Sequence, residues 1–227
     1  MNYHLTAKKF WNSKNITKEF YAQPFSSYWL DYFRSIKNKS EKKILDIGCG
    51  GGRNTEMLIS LGFDVYACDF YESMVSVTKD RLKKKGLKDE FIADRIKKAP
   101  MTKLPYNSNY FDIVLSHGVY HNAQSLKEIN RALKESARVL KEKGYLCFNT
   151  FTSVCIAKDF KNIKGQQNVY VTREKLPMVL LSKDEFLKIA SNYNLKPDIR
   201  IVEYQSKVST GKRSVLRGIL VKKSDKK

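Results

Sequence analysis

The chain has few cysteines and lacks any long apolar run. Its 227 residues include four cysteines, none of them in a C-x-x-C pair: Cys49, Cys68, Cys147 and Cys155. Cysteines this sparse exclude a disulfide framework and indicate no metal site, so we expect reduced, mostly buried thiols and no metal. No stretch approaches the ~20 apolar residues that a bilayer span requires, and the first residues form no apolar leader. We therefore expect a cytoplasmic protein with no membrane partner.

Acidic residues and arginine are scarce compared with lysine. The sequence has 43 Lys and Arg against 23 Asp and Glu, a net charge of +20, yet only 10 of the cations are Arg. Such a charge attracts nucleic acid, anionic lipid or anionic substrates. Arginine, however, is the better bidentate ligand for phosphates and bases. The lysine bias therefore favours a solvated basic surface and makes RNA the less favoured partner.

Proline, glycine and serine form no linker, and the sequence has no internal repeat. A chain of 227 residues that is 42% hydrophobic is long enough for one core and too short to need a second. We therefore predict a single domain over residues 1–227. An aromatic-rich stretch at 18–36 is predicted to be helical and to pack on the sheet edge, where one or two of its rings could cover a site.

Short apolar runs alternate with amphipathic stretches from Ile44 onward. This order is typical of a parallel sheet covered by helices on both faces. The last two strands are joined by a Gly-containing turn too short for a crossover helix, so we expect them to pair antiparallel at the edge. The pattern predicts helices at 53–61, 71–85, 125–140 and 182–192, and strands at 42–48, 63–69, 111–116, 145–150, 198–205 and 214–221. Ser125 with Glu128, and Ser182 with Glu185, predict capping boxes.

Glycine is concentrated in one loop, Asp46-Ile47-Gly48-Cys49-Gly50-Gly51-Gly52, which holds four of the eleven glycines between an apolar strand and a helix. Glycines at such a turn permit positive φ and let a ligand approach the backbone, and the helix N-terminus offers free N–H groups. A dinucleotide-binding loop would need a third glycine where Arg53 stands, and Asp46 would repel a pyrophosphate. The loop therefore favours a cationic or zwitterionic ligand.

A second acid, Asp69, ends the next predicted strand, 21 residues after Gly48. An acid in this place accepts hydrogen bonds from ribose hydroxyls. The glycine loop and Asp69 together indicate an adenosine ligand.

At this point the sequence resembles the class I S-adenosylmethionine-dependent methyltransferases, whose first motif is an acid followed by G-x-G-x-G. The resemblance covers residues 44–150 and includes, in order, Leu104-Pro105-Tyr106 before the strand at 111–114, the helix end Ala137-Arg138-Val139-Leu140, and Gly144. It implies an α/β, doubly wound, mostly parallel seven-stranded sheet with an antiparallel C-terminal edge strand and helices on both faces. Within the domain we predict a helical lid region at 1–40, a cofactor-binding core at 41–151, an acceptor-side insertion at 152–181, and a C-terminal helix with antiparallel strands at 182–227.

The resemblance also implies the cofactor, S-adenosyl-L-methionine, and its product, S-adenosyl-L-homocysteine. At the amino-acid end we expect Asp46 beside the ammonium, together with Gly48, Cys49, Gly50 and Gly52, and we expect Ser116 at the strand end beside the methyl group. At the adenosine end we expect Asp69 on the ribose, Phe70 and Met74 against the adenine, and a backbone contact from Met101. The chain departs from the family where an acid usually meets the adenine amino group, because Pro100 stands there; Asp94 could replace that acid only through a longer loop.

The reaction implied is an in-line displacement by an oxygen, nitrogen or sulfur atom of a small-molecule acceptor. A hydroxyl or protonated amine needs a base, and His117 and His121 follow the strand whose end should face the methyl group. We expect an acceptor that could be anionic, drawn by residues such as Arg173, Lys175 or Arg213. Two alternatives stay open: an RNA methyltransferase of the tRNA-modification type that uses the basic surface, and a cofactor-binding protein without catalysis. The oligomeric state is not predicted.

Overall fold

The computed structural model describes residues 3–198, 200–208 and 211–224. Its helices are α1 Tyr3–Trp11, α2 Lys14–Ala22, α3 Ser27–Arg34, α4 Arg53–Ser60, α5 Glu72–Lys84, α6 Asp89–Arg95, α7 Leu126–Val139 and α8 Lys183–Ser191. Its strands are β1 Lys43–Ile47, β2 Asp64–Asp69, β3 Ile96–Lys98, β4 Phe111–His117, β5 Leu140–Phe151, β6 Lys161–Asn162, β7 Val169–Val171, β8 Pro177–Val179, β9 Leu195–Pro197, β10 Val202–Val208 and β11 Gly211–Lys222. Short 3-10 turns lie at Lys39–Glu41 and Tyr120–Asn122.

The main sheet has the order β10-β11-β5-β4-β1-β2-β3, and β9 adds an eighth strand beside β11. Strands β3, β2, β1, β4 and β5 run parallel, whereas β11 is antiparallel to β5, β10 and β9. This confirms the predicted doubly wound, mostly parallel α/β fold with an antiparallel C-terminal edge. The strand order reverses between β1 and β4, and ligands of open α/β sheets bind at the carboxyl ends of the strands at such a switch point.

Helices cover both faces of the sheet. On one face, Trp29 and Phe33 of α3 and Leu58 of α4 are buried against the middle of the sheet. On the other, helices α7 and α8 bury the apolar stripes that include Leu133 and Phe186. Burial of these stripes is the main favourable contribution to the fold. Among the described residues, no helix combines the length and the apolar character needed to cross a membrane.

The N-terminal region differs from the expected single helical stretch at 18–36. Helix α1 precedes that stretch, and the stretch itself is divided between α2 and α3 by the residues around Pro24. Proline restrains the residue before it to extended backbone, so α2 ends before Gln23, whose φ and ψ are −64° and 135°. The break lets α2 and α3 pack in different places.

Two regions of the fold were not predicted. Helix α6 and strand β3 lie in a lysine-rich stretch without clear periodicity, and β6, β7 and β8 form a separate antiparallel sheet within 161–179. Elements this short carry too few residues for a periodic pattern to identify them. Strand β5 also begins earlier than predicted, at Leu140, and runs through Gly144. The predicted strand at 198–205 includes residue 199, which lies outside the described residues.

The two predicted capping boxes have different outcomes. At α8 the Ser182 hydroxyl accepts from the Glu185 N–H, and the Glu185 carboxylate accepts from the Ser182 N–H at 2.8 Å, so the box is confirmed. At α7 the Ser125 hydroxyl accepts from the Glu128 N–H, but the Glu128 carboxylate accepts from the N–H of Gln124 instead. The reciprocal half of the second box is therefore shifted by one residue.

Candidate functional site

The glycine loop follows β1 at the switch point of the sheet. Gly48, Gly50 and Gly52 have φ values of 66°, 54° and 77°, a left-handed backbone that favours glycine. The N–H groups of Gly48 and Cys49 both donate to the Cys68 carbonyl, at 2.7 and 3.0 Å. The end of β2 therefore holds the start of the loop, and α4 begins directly after it.

Helix α2 and the segment after β4 pack closely against this loop. A Cβ added to Gly48 would overlap the Val119 side chain, and one added to Gly51 would overlap the Phe20 carbonyl. A Cβ on Gly50 would lie 3.1 Å from the Phe20 ring. The absence of side chains in the loop is thus required by close neighbours as well as by backbone conformation.

Asp46 is a buried carboxylate with one oxygen unsatisfied. Its Oδ2 accepts from the Thr55 hydroxyl at 2.7 Å, whereas Oδ1 is buried and has no hydrogen-bond partner among the described residues. Burial raises the pKa of Asp46 to about 7, against the opposing hydrogen bond from Thr55. Buried polar atoms are rarely left without a partner, so Oδ1 is suited to a donor that a ligand supplies.

Asp69 connects the glycine loop to the start of α5. Its Oδ2 accepts from the Gly50 N–H at 3.0 Å and its Oδ1 from the Tyr71 N–H at 2.9 Å. Burial raises the pKa of Asp69 to about 6, although these backbone hydrogen bonds act in the opposite direction. Each carboxylate oxygen has a further lone pair, so Asp69 can still accept hydrogen bonds from two hydroxyls.

The other residues expected at the adenosine end are divided between surface and interior. Phe70 is 41% exposed and contacts the ring of His4 edge-on, whereas Met74 is 2% exposed. Met101 is partly buried against the main core cluster and follows β3, as Pro100 does. Cys49 is buried, and its sulfur accepts from the Thr78 hydroxyl at 3.5 Å.

The structure does not form the longer loop that Asp94 would need. Asp94 lies on α6, before β3, and its carboxylate contacts the Arg95 guanidinium at 3.3 Å. Its side chain is 67% exposed. Pro100 lies just after β3, so the condition under which Asp94 could replace the missing acid, a longer loop, is not met.

The two candidate bases have different surroundings. His121 is buried and stacks on Phe151 at 4.1 Å between ring centroids, and its Nδ1 accepts from the Phe151 N–H at 3.2 Å. This contact leaves the ring proton of the neutral form on Nε2. Burial, with a contribution from the charge of Arg213, lowers the pKa of His121 to about 3. His121 is therefore held as a neutral, packed ring beside β5.

His117 ends β4, directly after the fully buried Ser116. Its Nδ1 is buried without a hydrogen-bond partner among the described residues. Burial, followed by the charges of Arg53 and Arg217, lowers the pKa of His117 to about 3. The ring is therefore neutral at pH 7 and has an acceptor nitrogen available to a ligand.

Sequence reasoning did not identify the side chains of α5 that hold the loop. The Thr78 hydroxyl donates to the Gly50 carbonyl at 2.8 Å, and Arg81 Nε donates to the Gly51 carbonyl at 2.6 Å. The same guanidinium contacts the Tyr21 carbonyl of α2 and pairs with Glu56 at 2.7 Å. Thr78 and Arg81 are three residues apart and therefore lie on one helix face. This spacing is the sequence signal that could have identified them.

The three cations expected to attract an anionic acceptor are not equivalent. Arg173 and Lys175 are exposed in the turn between β7 and β8. Arg213 is buried, with its guanidinium 4.5 Å from the centre of the Phe160 ring and its Nη1 donating to the Lys212 carbonyl at 2.9 Å. Burial lowers the pKa of Arg213.

Comparison with known proteins gives consistent matches. Residues 45–148 match the family model described as a methyltransferase domain. The ubiquinone biosynthesis O-methyltransferase of Pelagibacter ubique is 31% identical over 108 residues, 48% of this chain and 41% of that protein. The ubiquinone/menaquinone biosynthesis C-methyltransferase UbiE of Neisseria meningitidis is 29% identical over 167 residues, 70% of this chain and 62% of that protein. The chain thus spans less than two thirds of the length of either relative.

The fold comparison agrees with the sequence matches. A crystal structure of a SAM-dependent methyltransferase from Methanosarcina mazei superposes with a TM-score of 0.74 at 19% identity, covering 89% of this chain and all of that one. The residues matched by the family model extend from β1 to β5 and contain the glycine loop, both acids and the end of β4. Residues 45–148 of the chain therefore match a methyltransferase domain, and the chain shares its fold with a SAM-dependent methyltransferase.

Proposed function

We propose that the protein transfers the methyl group of S-adenosyl-L-methionine to an oxygen, nitrogen or sulfur atom of a small-molecule acceptor. The observation that carries the proposal is the pair of buried acids, Asp46 and Asp69, on either side of the glycine loop at the switch point. The relatives named above support a small-molecule acceptor, because their names place them in quinone biosynthesis. One of them is named as a C-methyltransferase, so the test below does not assume which atom is methylated.

The residues of the loop fit the cofactor by their chemistry. Asp46 Oδ1 is a buried acceptor that lacks a donor, and an ammonium group would satisfy it. The Gly48, Gly50 and Gly52 backbone lets the amino-acid portion approach without a Cβ, and Asp69 accepts from ribose hydroxyls. The exposed ring of Phe70, the Met74 side chain and the Met101 backbone would contact the adenine, with Cys49 and Ser116 beside the amino-acid portion.

When bound, the cofactor supplies a methyl group already attached to a sulfonium, which is a good leaving group. The protein therefore contributes mainly orientation and exclusion of water, and orientation alone supplies ~7–11 kcal/mol in well-aligned cases. Helices α1 and α2 are placed to exclude water. Trp11 stacks on Tyr71 at 6.1 Å and contacts Phe20 at 5.4 Å, so aromatic rings link the lid to the start of α5.

His117 is the better placed of the two candidate bases. Its Nδ1 is unpartnered at the end of β4, whereas the Nδ1 of His121 already accepts from the backbone of β5. We assign to His117 the hydrogen bond that orients the attacking hydroxyl or amine. His121 then has a packing role next to Phe151.

Cofactor binding is tested first, by calorimetry with S-adenosylmethionine on the wild type, Asp46→Asn and Asp69→Asn. We expect each substitution to weaken binding at least tenfold, because each removes a charge that faces the cofactor. Asp89→Asn is the matched control, since Asp89 is exposed at the start of α6, where it pairs with Lys83. Equal affinity in all four proteins would refute the assignment of the two acids.

The acceptor class is tested by incubating the wild type with labelled S-adenosylmethionine and a cell extract, which is then fractionated into small molecules, RNA and protein. We expect the label in the small-molecule fraction. Label in RNA, lost as the salt concentration rises, would support the RNA alternative instead. Cofactor binding without label in any fraction would support a protein that binds the cofactor without catalysis.

A further inference from the structure

Three polar side chains lie side by side across the carboxyl end of β4. His117 of β4 is the register partner of Asn149 on β5, and Asn149 is the register partner of Arg217 on β11. Register partners on neighbouring strands point to the same face of a sheet. We call these three residues the polar row. The next register partners on that face, further into the sheet, are Leu115, Cys147 and Ile219. They are buried with Trp29 and Phe33 of α3.

Every member of the polar row has a buried polar atom without a hydrogen-bond partner among the described residues. These atoms are His117 Nδ1, Asn149 Oδ1 and Arg217 Nε. A buried donor or acceptor left unpaired is unfavourable and uncommon, so three of them in contiguous register need an explanation. A ligand that satisfies all three at once provides it.

Arg217 differs from three other arginines, each of which is held by a carboxylate. Arg81, Arg95 and Arg138 each pair with a carboxylate at 2.7 to 3.3 Å. Arg217 contacts no carboxylate within 4 Å in the part of the chain that the structure describes; its guanidinium instead lies 3.6 Å from the centre of the Tyr28 ring and 4.7 Å from that of Tyr204. Two aromatic rings thus fix the orientation of an uncompensated cation.

The polar row also lies next to the predicted cofactor loop. Ser116, which precedes His117, is the register partner of Ile47, which precedes Gly48. Val119, two residues after His117, packs on Gly48. A molecule held by the row is therefore beside the loop that receives the cofactor in the proposed function.

The atoms of the row specify complementary chemistry. Arg217 Nε and its guanidinium donate, so they require an oxyanion, and their planar geometry fits a carboxylate. Asn149 Oδ1 and the neutral His117 ring accept, so they require a hydroxyl or amine hydrogen. The ligand must present both groups close together.

We propose that His117, Asn149 and Arg217 form the acceptor subsite, and that the acceptor is a small hydroxy or amino carboxylate whose carboxylate binds Arg217. The hydroxyl or amine bonds to Asn149 and His117 and is the group that faces the cofactor. This inference rests on the proposed function and names its substrate class. It assigns the anion to Arg217 rather than to Arg173, Lys175 or Arg213.

The first test uses the charge of the labelled product. The small-molecule fraction from the extract experiment is passed over a strong anion-exchange resin at pH ~11, where a methylated amine is uncharged and a product that keeps its carboxylate is retained as an anion. We expect the label to be retained. Label that flows through, as a neutral product or a methyl ester would, overturns the inference but leaves the proposed function intact.

The second test measures methyl transfer by Arg217→Gln and Arg217→Lys. The acceptor is the small-molecule fraction of the extract in which the labelled product was found. We expect kcat/KM for the acceptor to fall about 10- to 100-fold in Arg217→Gln, through KM, while the affinity for S-adenosylmethionine stays within twofold. Arg217→Lys keeps the charge without the planar fork, so we expect a partial loss. An unchanged KM in a folded Arg217→Gln protein overturns the inference.

Arg200→Gln is the matched control. Arg200 also stacks on an aromatic ring, with its guanidinium 5.1 Å from the centre of the Tyr32 ring, but it is exposed and lies outside the polar row. We expect its KM for the acceptor to stay within twofold of the wild type. If the wild type did not bind S-adenosylmethionine, the proposed function itself would be refuted. An unchanged KM in Arg217→Gln overturns only the inference about the acceptor, so the two failures are distinguishable.

Discussion

The glycine loop and the polar row are neighbours in space but are organised in opposite ways. In the loop, backbone groups bond to backbone groups and to Asp69, so its shape is complete without a ligand. In the row, three side chains have polar atoms with no partner among the residues that the structure describes, so its bonding is incomplete without a ligand. The comparison indicates a cofactor end shaped by the main chain and an acceptor end defined by side chains.

The largest expected effect comes from breaking the loop with Gly48→Ala. The new Cβ meets Val119 and also forces a positive φ on alanine, so we expect a loss of about 2–5 kcal/mol in unfolding free energy. Binding of S-adenosylmethionine should be lost with it. Both quantities are measured, by urea unfolding and by calorimetry.

Gly62→Ala is the control for that experiment. Gly62 has a φ of 91°, but an added Cβ would meet nothing within 4 Å. We expect only the backbone cost, about 1–2 kcal/mol, and unchanged cofactor affinity. Equal losses in the two variants would show that the contact with Val119 is unimportant.

The glycine loop and the polar row should also differ in the direction in which pH changes the stability that each contributes. Burial raises the pKa of Asp46 to about 7, so its folded form holds a proton that unfolded aspartic acid releases. The stability that it contributes is present below pH ~4 and is lost as pH rises to ~7. Burial lowers the pKa of His117 to about 3, so the stability it contributes is present above pH ~6.5 and is lost as pH falls toward ~3.

Measuring unfolding free energy against pH for the wild type, Asp46→Asn and His117→Gln tests this contrast. The difference between wild type and Asp46→Asn should decrease with rising pH, and the difference between wild type and His117→Gln should increase, each at up to about 1.4 kcal/mol per pH unit. Affinity for S-adenosylmethionine should rise through pH 6–7 as Asp46 ionises. Two differences of the same sign would contradict the assigned shifts.

A smaller effect is expected from Arg81→Lys, which loosens the lid without entering the loop. Lysine cannot reach the Gly51 carbonyl, the Tyr21 carbonyl and Glu56 together, so α2 loses its attachment to α5. We expect about a tenfold loss of cofactor affinity and faster amide hydrogen exchange in α2.

Arg138→Lys provides the comparison. Arg138 also joins two carbonyls, those of Leu104 and Tyr106, and a glutamate, Glu135, but it lies on α7. We expect Arg138→Lys to lower the free energy of unfolding about as much as Arg81→Lys does, and to leave cofactor affinity unchanged. A similar loss of affinity in both variants would mean that Arg81 acts only through global stability.

The smallest effect distinguishes the two histidines. We expect His117→Gln to lower kcat about tenfold at saturating cofactor, because it removes the ring nitrogen that orients the attacking group. His121→Gln should lower the unfolding free energy through lost stacking on Phe151, with kcat nearly unchanged. Unchanged kcat in both variants would exclude histidine as the base.

Much of the fold could be predicted because its signals are local. The helix of α4 and the strand pair β10 and β11 follow from short-range periodicity and turn chemistry, and both are confirmed. The missed elements lack such signals: β6 has two residues and β3 has three, and Pro24 divides a stretch whose aromatic residues alone suggested one helix. The site assignments of the cofactor residues and histidines stay predictions.

The sequence by itself determined where the glycine loop lies, because four glycines within seven residues between an apolar strand and a helix permit a positive-φ turn that other residues disfavour. It likewise determined the alternation of strands and helices and the family resemblance that follows from their motifs. Only the tertiary structure decided the polar row. His117, Asn149 and Arg217 are far apart in the chain, and sheet register, which depends on pairing between distant strands, brings them together. The same long-range packing placed α2 over the loop and, within the described part of the chain, left Arg217 without a carboxylate.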